Sequence, residues 1–217
     1  MKTPFILFLF AILFSVLLCE ASKSPDPVHD INCKILRPNT KYYIVPLHDR
    51  IGGGLDLALS RPRGDSCPQS VVQDKVNNSG LAVQFYPVNS KKSMIRESTD
   101  LNIAFPDAHA KCLKSNVWTI DGDVTWLEDT QYITAGGQIG NPGEQTLVNW
   151  FKIVKTPYAY KLSFCPDVCS SCIFECQDVS VKDVQGKKLL VLSEPDYLEI
   201  AFRGIIKYVL QFHFIES

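Results

Sequence analysis

Beyond its N-terminal twenty residues, this chain shows no strong helical periodicity in its apolar residues. That absence constrains the fold more than any other feature. Short β-rich runs take the place of helical stripes, each bounded by Gly, Pro, Asn or Asp. Tyr42 to Val45, Leu81 to Tyr86, Leu101 to Phe105, Val117 to Ile120 and Gln131 to Thr134 are five of them. Trp150 to Val154, Tyr160 to Phe164, Leu189 to Leu192 and Leu198 to Phe202 continue the series. Such spacing suits an all-β barrel or sandwich. A parallel sheet would need helix-length apolar stripes between its strands, and these are missing. Leu101-Asn102-Ile103-Ala104-Phe105 and Leu198-Glu199-Ile200-Ala201-Phe202 share the pattern L-x-I-A-F, an echo that favours a barrel of repeated units. Gly52-Gly53-Gly54 follows a strand with no helical pattern after it and reads as a turn, as do Lys187 and Lys188 after Gly186.

The N-terminus is apolar for a different reason. Lys2 precedes an almost unbroken apolar run from Phe5 to Leu18. As a helix that run rises about 21 Å, short of the roughly 30 Å hydrocarbon core. With the small residue Ala21 as a cleavage position, residues 1–21 read as a secretory signal peptide, with a signal anchor as the alternative. The remainder, 22–217, has the size of one domain and needs no metal to build a core. A net charge of −1 gives no reason to expect nucleic acid or a membrane surface as partner.

Export changes how the cysteines are read. Cys19 leaves with the leader, and seven remain: 33, 67, 112, 165, 169, 172 and 176. Four of these, Cys165-x3-Cys169-x2-Cys172-x3-Cys176, fall within twelve residues. Four thiolates can hold zinc, but the halves of such sites usually lie further apart, and an oxidising compartment favours disulfides. An odd cysteine in an exported chain is either buried and free or bonded to another molecule. Asn77-Asn78-Ser79 is a glycosylation sequon that the same compartment can use.

Enzyme signatures are missing. The four histidines (29, 48, 109 and 213) form no metal spacing such as H-E-x-x-H, and there is no G-x-S-x-G elbow or phosphate-binding glycine loop. Asp107-x-His109 reads as a polar loop. The sequence calls for no cofactor and no metal.

Taken in order, the motifs resemble those of the plant Kunitz-type inhibitors, the soybean trypsin inhibitor family. Val28-His29-Asp30 followed by Leu36 and Tyr42-Tyr43-Ile44-Val45-Pro46 resembles its N-terminal signature. Gly52-Gly53-Gly54-Leu55, Cys67-Pro68, Val71-Val72-Gln73 and Ser98 to Ile103 continue the likeness. So do Gly136-Gly137, Gly140 to Gly143, Trp150 to Ile153 and Tyr160-Lys161-Leu162. Phe164-Cys165-Pro166 and the four-cysteine cluster look most like the miraculin-like branch.

The resemblance implies a disulfide-stapled β-trefoil: twelve short strands in three pseudo-equivalent units. It implies the pairs Cys67–Cys112, Cys165–Cys176 and Cys169–Cys172, and leaves Cys33 over. It also implies inhibition of an endopeptidase, most simply a trypsin-like serine protease, by an exposed loop that binds in extended form as a substrate does. The loop here is Val88 to Ile95. By position Lys91 is P1 and Lys92 P1′ between Ser90 and Ser93, with Lys92-Ser93 as the one-residue alternative. A lysine at P1 suits a pocket with a carboxylate at its base; the plainer reading of both lysines is solvated charge. Two positions depart from the family. Pro38 stands where many inhibitors carry an asparagine that braces the loop, with Asn39 one step late, and Cys33 stands where the signature has Gly or Asp. The family also supplies the rival reading: a miraculin-like defence, binding or storage protein acting through another loop on a cysteine or aspartic protease or a small ligand. The expected product is exported, to the extracellular space or the vacuole, as a monomer or as a dimer linked through Cys33.

Overall fold

The computed structural model describes residues 24–47, 52–58, 69–74, 79–108, 115–122, 124–125, 130–193 and 196–205. The leader at 1–21, Cys67, Cys112 and the Asn77 sequon lie outside the described residues.

Twelve strands run through the described residues. They are β1 Lys41–Pro46, β2 Leu55–Ala58, β3 Ser70–Gln73, β4 Val83–Pro87, β5 Leu101–Ala104 and β6 Trp118–Asp121. Then follow β7 Tyr132–Ala135, β8 Lys152–Lys155, β9 Tyr160–Phe164, β10 Gln177–Val184, β11 Lys187–Ser193 and β12 Ile200–Gly204. A 3-10 helix, Glu144–Asn149, precedes β8.

The pairings close two rings. Strand β1 pairs with both β4 and β12, β4 pairs with β5, β8 with β9, and β9 with β12. The sixth contact is a bridge between Leu101 of β5 and Phe151, just before β8. Six strands thus form a closed barrel, which leaves no edge along that ring. The other six are hairpins, β2–β3, β6–β7 and β10–β11. Their inner strands pair in a triangle, β3 with β7, β7 with β11 and β11 with β3. Each unit, β1–β4, β5–β8 or β9–β12, therefore sends its outer strands to the barrel and its inner hairpin to the cap. This is the β-trefoil, and the pseudo-threefold lies in the connectivity.

The L-x-I-A-F echo does not carry that symmetry. One copy begins on β5, the first strand of its unit, and the other runs into β12, the last of its unit. What the copies share is burial: Leu101, Ile103, Phe105, Ile200 and Phe202 all face the core. Strand β1 follows the two-residue rule, burying Tyr42, Ile44 and Pro46 between half-exposed neighbours. Inside the barrel the Phe85 and Phe202 rings meet edge to face at 5.5 Å, and Trp118 of the cap strand β6 meets Phe151 edge to face at 6.1 Å. Burying rings of this size contributes about 2–3 kcal/mol each.

Two other local readings are refined by the structure. Gly52 to Gly54 is not a turn: Gly53 N–H donates to the Asp74 carbonyl and Asp74 N–H to that of Gly54, extending the β2–β3 ladder. Glycine is needed at Gly54 because a Cβ there would sit 1.9 Å from the Ser79 carbonyl oxygen. The β10–β11 hairpin turns on Gln185 and Gly186, both at positive φ, as a two-residue loop requires. Lys187 and Lys188 begin the strand that follows.

Candidate functional site

The segment after β4 leaves the barrel and returns to it at β5. Its outgoing foot is fixed where Val88 N–H donates to the Asp100 carbonyl at 2.9 Å. Its returning foot is fixed by the N-terminal segment. Ile95 N–H donates to the Leu36 carbonyl at 2.9 Å, and Val28 N–H donates to the Ile95 carbonyl at 3.0 Å. The Ile95 side chain is fully buried. Glu97 N–H reaches the Asp26 carbonyl, and the Arg96 guanidinium donates to the Pro25 carbonyl. The N-terminal strap thus lies along residues 95–97 as an added strand, using backbone groups that a loop would otherwise leave to water.

The tip lies beyond these anchors. Ser90, Lys91, Lys92 and Ser93 are all exposed. The tip is not extended. Lys92 N–H donates to the Asn89 carbonyl at 3.1 Å, closing a turn over Ser90 and Lys91, and Lys91 N–H donates to Asn89 Oδ1 at 3.1 Å. Asparagine favours this local bond at the first position of a turn. An extended substrate-like tip must therefore open two hydrogen bonds.

At the bracing position, Pro38 and Asn39 occupy the two central places of their own turn, Asn39 at φ 59°. The Asn39 side chain is exposed and makes no hydrogen bond to the loop among the described residues. The cross-strut implied by the resemblance is replaced by the backbone bonds around Ile95, one turn away from the tip.

A second loop, 165–176, joins β9 to β10 and is held covalently. The structure pairs Cys165 with Cys176 and Cys169 with Cys172, so these four sulfurs are bonded to each other rather than free to hold zinc. No group of three metal-ligating side chains occurs among the described residues. Val168, Cys169, Cys172 and Phe174 turn inward against the core.

The feet of the two loops meet at Asp100. Its carbonyl receives Val88, and its carboxylate Oδ2 accepts Asp167 N–H at 2.9 Å. Lys152 Nζ lies 2.6 Å from Asp167 Oδ2 and 3.8 Å from Asp100 Oδ1. Asp100 is buried, and Oδ1 has no hydrogen-bond partner. Burial pushes its carboxyl above the ordinary carboxylate range, an effect only partly offset by the Asp167 amide and the Lys152 ammonium. Neither Asp100 nor Ile95 stands out in the sequence, because each matters through partners far away in the chain.

Cys33 sits apart from both loops, exposed and unbonded, at φ 59° on a turn that Asp30 holds through the amides of Asn32 and Lys34. A left-handed φ explains why Gly or Asp is the usual occupant there.

Known proteins share this arrangement across most of the chain. Miraculin of Synsepalum dulcificum is 40% identical over 202 residues, covering 89% of this chain and 90% of its own. Kunitz trypsin inhibitor 5 of Arabidopsis thaliana is 37% identical, covering 88% of this chain and 92% of its own. Among solved structures, the Kunitz-type cysteine protease inhibitor PCPI-3 from potato superimposes with a TM-score of 0.69 at 28% identity, over 85% of this chain and all of its own. A family profile described as trypsin and protease inhibitor, the legume Kunitz type, matches residues 28–203. The chain belongs to the legume Kunitz family of protease inhibitors, a family of inhibitory β-trefoils and not of enzymes.

Proposed function

We propose that the protein is exported and inhibits a trypsin-like serine endopeptidase, with Lys91 entering the primary pocket and Lys92 on its leaving-group side. The observation that carries this reading is the exposed Lys91-Lys92 pair at the tip of a loop whose two feet are anchored by Asp100, Leu36 and Val28. Fixed feet lower the ordering cost of binding and hold the ends together if the bond is cut. A lysine side chain matches a pocket with a carboxylate at its base. The tip turn opposes binding: opening two hydrogen bonds costs about 2 kcal/mol, roughly thirtyfold in affinity. Inhibition should therefore be real but weaker than the tightest complexes of this size.

The test is the oxidised, secreted protein assayed against trypsin-, chymotrypsin-, subtilisin- and papain-like enzymes, beside Lys91→Ala and Lys92→Ala. Trypsin inhibition should weaken about a thousandfold in Lys91→Ala, as for a central anchor residue, and far less in Lys92→Ala. The reverse order would move P1 to Lys92. Inhibition that survives both changes would assign the site to another surface. Recovery of the protein from the medium with its N-terminus near Ser22 would establish export; retention with residues 1–21 attached would refute it.

A further inference from the structure

The loop stapled by the four cysteines has a stretch with the backbone form that the lysine loop lacks. From Cys172 to Glu175 the side chains alternate. Cys172 and Phe174 turn inward, while Ile173 and Glu175 point to solvent. An in-and-out period of two is that of extended chain. Phe174 is the inward anchor, its ring 5.3 Å from that of Phe164 on β9. One disulfide begins this stretch at Cys172 and the other closes it at Cys176, with Cα separations of 5.5 and 4.5 Å across the two bonds. No backbone hydrogen bond within the protein engages residues 172–176 among the described residues. Their N–H and C=O groups are open to a strand supplied by another molecule.

One side chain marks what such a molecule would take. Ile173 is 82% exposed, in a loop whose other exposed residues are Asp167, Ser170, Ser171, Glu175 and Cys176. A branched aliphatic side chain held out into water contributes nothing to this fold, and its transfer into a pocket is favourable. An extended backbone with unpaired polar groups, clamped at both ends and offering one projecting apolar side chain, is the shape that a protease cleft accepts.

We propose that Cys172–Glu175 is a second inhibitory loop, with Ile173 filling the primary pocket of an elastase-like serine endopeptidase, one whose pocket is small and apolar. This loop is independent of the lysine loop in both specificity and mechanics. It needs no turn to open, and its ordering is supplied by disulfides already formed. An apolar side chain leaves a pocket with a carboxylate at its base unpaired, and the adjacent Glu175 adds like charge, so trypsin itself should not compete for it.

The test uses the full oxidised protein with pancreatic elastase and trypsin as probes, in the native chain, Ile173→Asp, Ile173→Val and Lys91→Ala. Because Ile173 is exposed, its variants should keep the native thermal midpoint, which is measured alongside. Elastase inhibition should weaken at least about thirtyfold in Ile173→Asp, the loss of one buried anchor. It should be nearly kept in Ile173→Val and unchanged in Lys91→Ala. Trypsin inhibition should be indifferent to both Ile173 variants. Failure of the lysine-loop reading would appear as trypsin inhibition insensitive to Lys91 and leaves this result untouched. The proposal is overturned if elastase is not inhibited, if Ile173→Asp inhibits as well as the native chain, or if elastase inhibition disappears in Lys91→Ala.

Discussion

The loops 88–95 and 165–176 meet at one buried residue, Asp100, yet they are held by opposite means. The first is fixed at its feet by hydrogen bonds to the N-terminal strap and left to fold its tip locally into the Asn89 turn. The second is fixed by two disulfides and an inward phenylalanine. Hydrogen bonds net about 1 kcal/mol each and can be exchanged for bonds to a partner. A disulfide acts on the unfolded chain and is not given up for bonds to a partner. The lysine loop is therefore adaptable at its tip, and the cysteine loop is set in advance.

The largest effect should come from Ile95→Ala. Ile95 is fully buried at the returning foot, and truncation of such a side chain costs roughly 2–5 kcal/mol. Denaturant midpoints measure the stability loss. Trypsin inhibition should fall with it, because the Ile95 side chain no longer packs with Val28 and Leu36 of the strap in the core. Removing the outer staple with paired Cys165→Ser and Cys176→Ser should cost about 3 kcal/mol for a bond spanning 11 residues, on the chain-entropy account. The thermal midpoint should drop by roughly 6–12 °C for a domain of this length. Here trypsin inhibition should stay as it was. If trypsin inhibition is lost with the staple, the two loops form one mechanical unit and the contrast fails. Asn89→Ala is smaller and goes the other way. It removes one of the two bonds that close the tip turn, so trypsin affinity should improve about fivefold while stability changes by less than about 1 kcal/mol. Weaker inhibition in this variant would mean that the turn is itself the binding form.

What the sequence made legible follows from where each interaction is encoded. Strand runs such as Tyr42 to Val45 declare themselves by consecutive aromatic and β-branched residues. Strand β10 does not: its sequence Gln-Asp-Val-Ser-Val-Lys-Asp-Val buries only Gln177 and Val179, so no apolar run marks it. The cysteines and the lysine pair are visible as residue types in order. The Asn89 turn is written in local chemistry, but an Asn in a polar loop has many other uses. Asp100 is invisible in principle, because its meaning depends on Asp167, 67 positions away, and on Lys152 between them. The pseudo-threefold is legible only through the family resemblance, since the L-x-I-A-F echo falls on strands that the symmetry does not relate.

Asp100 joins the two loops, and its charge offers the finest test of how they differ. Its carboxyl is raised above the usual 3.8 by burial, so the folded protein binds this proton more tightly than the unfolded chain does. A raised carboxyl contributes stability that is fully present below the unfolded value and lost as pH rises through the folded one. Acidification into the range just above pH 3.8 should therefore strengthen this one contribution, opposite to the behaviour of an ion-paired surface carboxylate. In Asp100→Asn that contribution is gone. Denaturation midpoints of the native chain and the variant, taken in steps from pH 7 to pH 4, should move apart in favour of the native chain as the pH falls. The two loops should respond unequally. The variant side chain still accepts Asp167 N–H, but as a neutral partner, and so more weakly. Hydrogen exchange at Asp167 should speed up by a few fold, whereas exchange at Val88, which bonds the unchanged Asp100 carbonyl, should not. Equal acceleration at both amides would show the feet to be coupled through the backbone of Asp100, and the separation of an adaptable loop from a preset one would then have to be drawn above that residue.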